Sequence, residues 1–230
     1  MAFTRQILFV LIGMFLFVST AMANNQISIG QAAVVRGEVY VERNTNKQPL
    51  KARDSVYQGD KILTGEKGKV QIIFADDTIF TIGREAEILL DKYVYDPSTH
   101  EGVSEIKAKK GTFKFVTGKI AKKNPKHVRV KTPFATIGVR GSGGLVDVAL
   151  NGATTVGLTQ CCLDLFANGA PAGTPPVPLD GVNSYSQVTS PNQPPSIPAP
   201  MPPEMVQQLN GDLAGGFAPV EGEGIGNPTT

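Results

Sequence analysis

An all-β fold is predicted by three features of this sequence. Residues 27–150 fall into short runs of β-formers, and Gly, Asn and paired Asp residues interrupt them. Several runs alternate apolar with polar residues, as in Phe113-Lys114-Phe115 and Val128-Arg129-Val130-Lys131, which is the two-residue period of a half-buried strand. No stretch of the region repeats at 3.6 residues over a helical length. The body is therefore expected to be stacked short strands, as a β-helix-like pile of rungs or a sandwich, followed by a Pro-rich and largely extended C-terminal tail.

Each element follows from its own residues. Val34-Val35 and Val39-Tyr40-Val41 flank the turn at Arg36-Gly37-Glu38. Val70-Gln71-Ile72-Ile73-Phe74 and Thr78-Ile79-Phe80-Thr81-Ile82 surround Asp76-Asp77, and β-formers on both sides of a tight polar turn predict a hairpin. Ile88-Leu89-Leu90, residues 103–106, residues 112–116, Val128-Arg129-Val130 and Ile137-Gly138-Val139 continue the series as separate strands. Two candidate final strands lie within residues 151–170, at Thr154-Thr155-Val156-Gly157-Leu158 and Cys162-Leu163-Asp164-Leu165-Phe166.

The N-terminus predicts export. Arg5 precedes an apolar run at residues 7–18, and Ala21-Met22-Ala23 supplies the small residues of a cleavage site. The run is shorter than the roughly 20 residues a membrane span needs. Residues 1–23 are thus read as a signal peptide cut between Ala23 and Asn24, leaving a periplasmic or secreted chain with no membrane span.

Charge and proline divide the rest. Residues 24–150 hold 21 Lys/Arg against 14 Asp/Glu, a net of +7, whereas residues 151–230 hold six acids and no Lys or Arg. Thirteen of the 17 prolines also follow residue 150. This contrast predicts a packed basic domain over 24–150 and a looser acidic extension. Within it, residues 171–230 are expected to be mostly disordered, apart from a short helix near 203–210 that starts at Pro203 and stops at Asn210-Gly211.

Five segments in order carry a family resemblance. They are Gly37-Glu38-Val39, Gln58-Gly59-Asp60-Lys61-Ile62-Leu63-Thr64, and Val70-Gln71-Ile72-Ile73-Phe74-Ala75-Asp76-Asp77-Thr78. Lys110-Gly111-Thr112-Phe113-Lys114-Phe115-Val116-Thr117-Gly118 and Thr132-Pro133-Phe134-Ala135-Thr136-Ile137-Gly138-Val139-Arg140-Gly141 complete the set. Together they resemble the FecR domain. The resemblance implies a periplasmic β-rich module without enzymatic activity, and marks Thr132, Pro133, Ala135, Gly138, Arg140 and Gly141 as structural motif residues. The namesakes relay an iron-siderophore signal across the inner membrane to a sigma factor. This sequence lacks their cytoplasmic segment and has Ser142 where the family has Thr, so the resemblance implies only the extracytoplasmic domain.

Catalytic readings are weak on chemistry. Ser142-Gly143-Gly144 looks like a protease nucleophile loop, but the only histidines are His100 and His127, and neither has the spacing of a triad. No Gly-Lys-Ser/Thr completes a phosphate loop. A tight turn accounts for the glycines, with Arg140 donating to carbonyls or to a carboxylate across it. Asp76-Asp77 reads as a turn, since no calcium-loop pattern surrounds it. Adjacent Cys161 and Cys162 lack the further ligands of a metal site; they fit one buried and one exposed thiol, a vicinal disulfide, or a disulfide to another chain.

No cofactor, metal or catalytic residue is therefore assigned, and the chain is expected to be a binding module. The first reading is a protein partner in the cell envelope, in a scaffold or sensing role. The alternative is an envelope glycan or other polyanion, held by a cationic face that includes Lys107, Lys109, Lys110, Lys114, Lys122 and Lys123. Nucleic acid is excluded by export.

Overall fold

The structure, a computed structural model, describes residues 26–213 except Ser142. The predicted signal peptide, its Ala23/Asn24 junction and the last 17 residues lie outside the described residues.

Among the described residues, seventeen strands are organised as two layers that share one long strand. The first layer runs in the order β4 (Ser55–Tyr57), β1 (Ser28–Arg36), β6 (Lys69–Phe74), β7 (Ile79–Ile82), the second half of β9 (Gly102–Val116), β12 (Gly143–Val148), β13 (Thr154–Leu158), β16 (Ser184–Val188) and β17 (Ala199–Pro200). The second runs β3 (Asn46–Pro49), β2 (Val39–Arg43), β5 (Lys61–Thr64), β8 (Glu87–Tyr95), the first half of β9, β10 (Val128–Lys131), β11 (Ala135–Val139), β14 (Leu163–Ala167) and β15 (Val177–Leu179). β9 and β10 pair in parallel, and the other strand pairs among the described residues are antiparallel. Both layers advance in nearly the same direction along the sequence, so the chain is a pile of rungs with β9 as its middle step.

β9 replaces the two separate strands expected at residues 103–106 and 112–116. Gly111 adopts φ +99°, which a β-carbon would oppose, and its position lies against Ala86 with no room for a side chain. The backbone can therefore bend from one layer into the other without leaving the strand. At Asp76-Asp77 the predicted hairpin is present, with Val70 opposite Ile82 and Asp77 at φ +66°.

Alternating side chains fill one continuous core between the layers. Phe80 stacks on Phe113 within the first layer, with ring centroids 5.1 Å apart. Phe74 stacks on Tyr93 of the opposite layer at 5.4 Å, joining the two. Each such buried side chain contributes on the order of 2 kcal/mol.

The composition break at residue 150 is not the edge of this body. Residue 150 lies in the turn of the β12–β13 hairpin, where Val148 faces Thr154. Val156, Leu158, Leu163, Leu165, Leu179 and Val188 are all buried in the same core. Hence the strands within residues 151–188 pair and pack with those before residue 150 in one body. The lack of Lys and Arg marks an acidic part of the stack, and it does not interrupt the packing because rungs need apolar inward residues and not cations.

The tail then returns over the first layer. Helix α1 (Lys119–Lys123) sits between β9 and β10, where no helix was expected. The C-terminal helix α2 (Pro203–Leu213) begins at Pro203, where a missing N–H costs nothing, and runs through Asn210-Gly211. Leu209 and Leu213 bury themselves against Leu145, with Met205 alongside. This explains why Leu145, on the face of β12 that it shares with Asp147, is buried. Arg84 pairs with Asp212 at 2.9 Å and Lys69 donates to the Gly211 carbonyl, fixing the helix end.

Candidate functional site

The expected cationic face is divided by the fold. Lys107 and Lys109 lie on the outer surface of the second layer, Lys110 lies at the bend opposite Glu87, and Lys114 lies on the first layer opposite Leu145. Lys122 and Lys123 are on α1. The structure brings Lys107 and Lys109 together with Lys131, the last cation of the Lys107-to-Lys131 segment, and with Lys61, which the sequence reading left out of that face. Strand register puts Lys131 beside Lys107, Lys107 opposite Leu89, and Leu89 opposite Lys61. Only strand pairing creates this row, so local sequence carries no signal for it.

Each of these cations has a carboxylate. Lys61 pairs with Glu42 at 2.8 Å, Lys107 with Asp91 at 2.8 Å, Lys109 with Glu87 at 3.1 Å and Lys131 with Glu105 at 2.7 Å. The hydrogen bond and charge of Glu42 raise the Lys61 pKa, and Asp91 does the same for Lys107. In return, the Lys107 ammonium holds Asp91 below the ordinary carboxylate range. A shallow trough of about 550 Å³ crosses this row, and its four lysines are matched by four acids. Such a surface has little net charge with which to attract a polyanion.

A different groove has no charged residue in its lining. It measures about 680 Å³ and lies at one side of the stack, between the start of β1 and the end of β8. Ile27, Ile29, Tyr57, Tyr93, Val94 and Tyr95 form its apolar and aromatic walls, with Gln58 and Ser28 as polar groups. Ile27 is 86% exposed and Val94 58% exposed. The sequence reading missed it, because its walls come from three segments far apart in the chain.

The resemblance motif builds the β10–β11 hairpin. The Thr132 amide donates to the Ala135 carbonyl at 2.8 Å, and the Ala135 amide donates to Thr132 Oγ1 at 2.9 Å. Asn168 Nδ2 donates to the carbonyls of Thr132 and Pro133, tying the turn to the end of β14. Gly138 packs beside Asp164 and Phe166. Arg140 reaches Asp164 at 2.8 Å and Asp180 at 2.6 Å, while its amide donates to the Cys162 carbonyl. Gly141 lies against the Cys161 carbonyl with no space for a β-carbon. Cys161 and Cys162 form a vicinal disulfide in the loop between β13 and β14, with Cys162 at φ +86°.

Other sequence candidates have structural partners. Asp76 is fully buried; it accepts from Thr78 Oγ1 at 2.9 Å and from the Tyr93 hydroxyl at 3.1 Å. It also accepts from the Ile120 amide at the start of α1, whose own Gly118 offers no side-chain cap. The ring nitrogens of His127 meet the Gly102 carbonyl and the Asn124 amide. Ser142 lies outside the described residues. Among the described residues no cluster of three or more His, Cys, Asp or Glu is placed to hold a metal, and no helix is long and apolar enough to cross a membrane.

These features define an all-β stacked module whose signature residues hold turns together. Residues 60–160 of the chain match the family model described as FecR protein. A solved structure described as a cell surface anchoring domain is 34% identical, covers 26% of this chain and 82% of its own, and has a TM-score of 0.26. A candidate anti-sigma factor from Parabacteroides distasonis, seen in two crystal structures, is 13% identical with a TM-score of 0.47. That likeness covers 64% of this chain and 62% of the Parabacteroides protein. No curated protein matches the chain.

Proposed function

We propose that this chain is an exported, non-catalytic FecR-domain module that holds a protein partner in the cell envelope, in a sensing or signalling role. The charge-free groove bounded by Ile27 and Val94 carries the reading. Exposed aliphatic side chains beside tyrosines, with a polar rim, are the make-up of a protein interface core. The family match supports a regulatory rather than a catalytic role. The Cys161–Cys162 disulfide and the N-terminal apolar run with its Ala-x-Ala site support export, since disulfides persist outside the reducing cytoplasm. The polyanion reading draws less support, because the cations it needs are ion-paired or spread over both layers and α1.

A photo-crosslinking residue placed at Val94 in the producing cell tests this. It is expected to give a discrete protein adduct that disappears with Ile27→Asp and is absent when the crosslinker sits at Lys109. Equal adducts from both positions, or none from Val94 while the chain is retained on heparin in a salt-sensitive way, would overturn the reading.

A further inference from the structure

The groove has a second property besides its apolar lining: one wall is an open strand edge. β8 pairs with β5 only at residues 87–89, whereas its pairing with β9 continues to Tyr95 opposite Gly102. The β8–β9 register shifts between Leu89 and Lys92, and the last backbone bonds of β8 on the β5 side are those of Leu90 with Gly59 and Asp60. Among the described residues no strand lies beside residues 92–95 on the side away from β9.

Hydrogen bonding shows which backbone groups face that side. The Asp96 amide donates to the Glu101 carbonyl at 2.9 Å across the hairpin. In an antiparallel pair the inward-bonding residues alternate, so Val94 and Lys92 also face β9, and Tyr93 and Tyr95 face the groove. The Tyr93 amide confirms the parity, since it donates to Gln58 Oε1 on the groove side at 3.3 Å. The Tyr93 carbonyl and the amide and carbonyl of Tyr95 are thereby presented along the edge.

Most other edges in this protein are blunted. Three of the four strands that end the two layers carry proline: β3 with Pro49, β15 with Pro178 and β17 with Pro200. Proline and charge are the usual means of preventing strand addition. The β8 edge has no proline, and its lysine, Lys92, stands at the end farther from Tyr95.

We propose that the free edge of β8 takes up an extended, uncharged segment of a protein partner as an added strand along residues 92–95. Its backbone would pair with Tyr93 and Tyr95, and alternate side chains would enter the groove against Ile27, Ile29 and Tyr57. The absence of charge in the lining selects an uncharged segment, because an unpaired ionic side chain there loses its water without compensation. The proposal rests on the protein-partner reading above and specifies its mode.

The probe is a fluorescent, N-acetylated hexapeptide of alternating valine and threonine, titrated into the signal-free chain and followed by anisotropy. Saturable binding is expected, and it should weaken at least tenfold when the peptide amides along one edge are N-methylated. Tyr95→Pro should give a similar loss, because it removes an outward amide while leaving the β9 pairing intact. Val94→Asp, at an exposed position, should also weaken binding without altering the thermal midpoint. Undiminished binding of the N-methylated peptide and of Tyr95→Pro would overturn strand addition. So would failure of the peptide to bind saturably. In either case a persistent Val94 crosslink in cells would leave the partner reading standing, and its loss would remove both.

Discussion

Arg43 grips Asp60 through two parallel hydrogen bonds, Nε to Oδ1 at 2.6 Å and a terminal nitrogen to Oδ2 at 2.7 Å. Asp60 is fully buried and also accepts from the Tyr57 amide, while Arg43 lies over the Tyr57 ring. The Gln-Gly-Asp motif is thus a fastening between β2 and the turn before β5. Arg43→Met should cost about 3–5 kcal/mol in urea unfolding, since it strands a buried carboxylate. Arg43→Met with Asp60→Leu should recover much of that loss. Equal stability of the single and double variants would show that the carboxylate is not the cause.

Gly141 and Arg140 should differ in a way that tests whether the signature is structural. Arg140 is a partly exposed ion-pair residue, so Arg140→Ala should cost only about 1 kcal/mol. Gly141→Ala has to displace the Cys161 backbone, and should cost roughly 2 kcal/mol or more. The reverse order in chemical denaturation would refute the packing account.

At Cys162 the left-handed backbone is the sensitive feature. Cys161→Ser with Cys162→Gly should keep stability within about 1 kcal/mol of the disulfide form, because glycine adopts positive φ freely. Cys161→Ser with Cys162→Ser should be the less stable of the two pairs. The native chain should run as a monomer without reductant and gain two hydrogens in intact mass after reduction. A disulfide-linked dimer on a non-reducing gel would contradict the vicinal pairing.

The C-terminal helix should resist trimming. Mild proteolysis should leave a core that extends past Val188, because β16 pairs with β13. Leu209→Ala should cost about 2–3 kcal/mol for release of α2 from Leu145. Rapid loss of residues 171–213 in the native chain would contradict this arrangement.

Tyr93 predicts an alkaline limb. Burial, and then the Asp76 carboxylate, push the Tyr93 phenol well above its ordinary value. Above about pH 10 the unfolded chain releases this proton and the folded chain keeps it, so stability is present below that pH and lost as pH rises. Tyr93→Phe should flatten the fall in stability between about pH 9 and 11. An unchanged slope would show that this phenol does not contribute.

Much of the fold was legible because strands announce themselves locally. The two-residue alternation at Val128-Arg129-Val130-Lys131 and the Asp76-Asp77 turn needed nothing beyond their neighbours. The Thr132-to-Gly141 signature was legible as a family mark for the same reason. The site was not, since the groove joins Ile27, Tyr57 and Val94 from three separated segments, and the row of Lys61, Lys107 and Lys131 exists only through strand register. Nor could composition place the end of the body: strands such as β13 and β14 need buried valine and leucine, and the loss of lysine after residue 150 says nothing about that.

The sequence by itself determined an all-β class, the main turns and the family signature, because each depends on residues within a few positions of one another. Tertiary structure alone decided that Gly111 joins two strands into β9, that α2 returns to cover Leu145, and that the cations of the second layer meet carboxylates. It also decided that β8 outruns β5 and leaves an open edge. The physical reason is that strand pairing, unlike strand formation, is a property of distant residues: register sets which side chains share a row and which backbone groups are left without a neighbour.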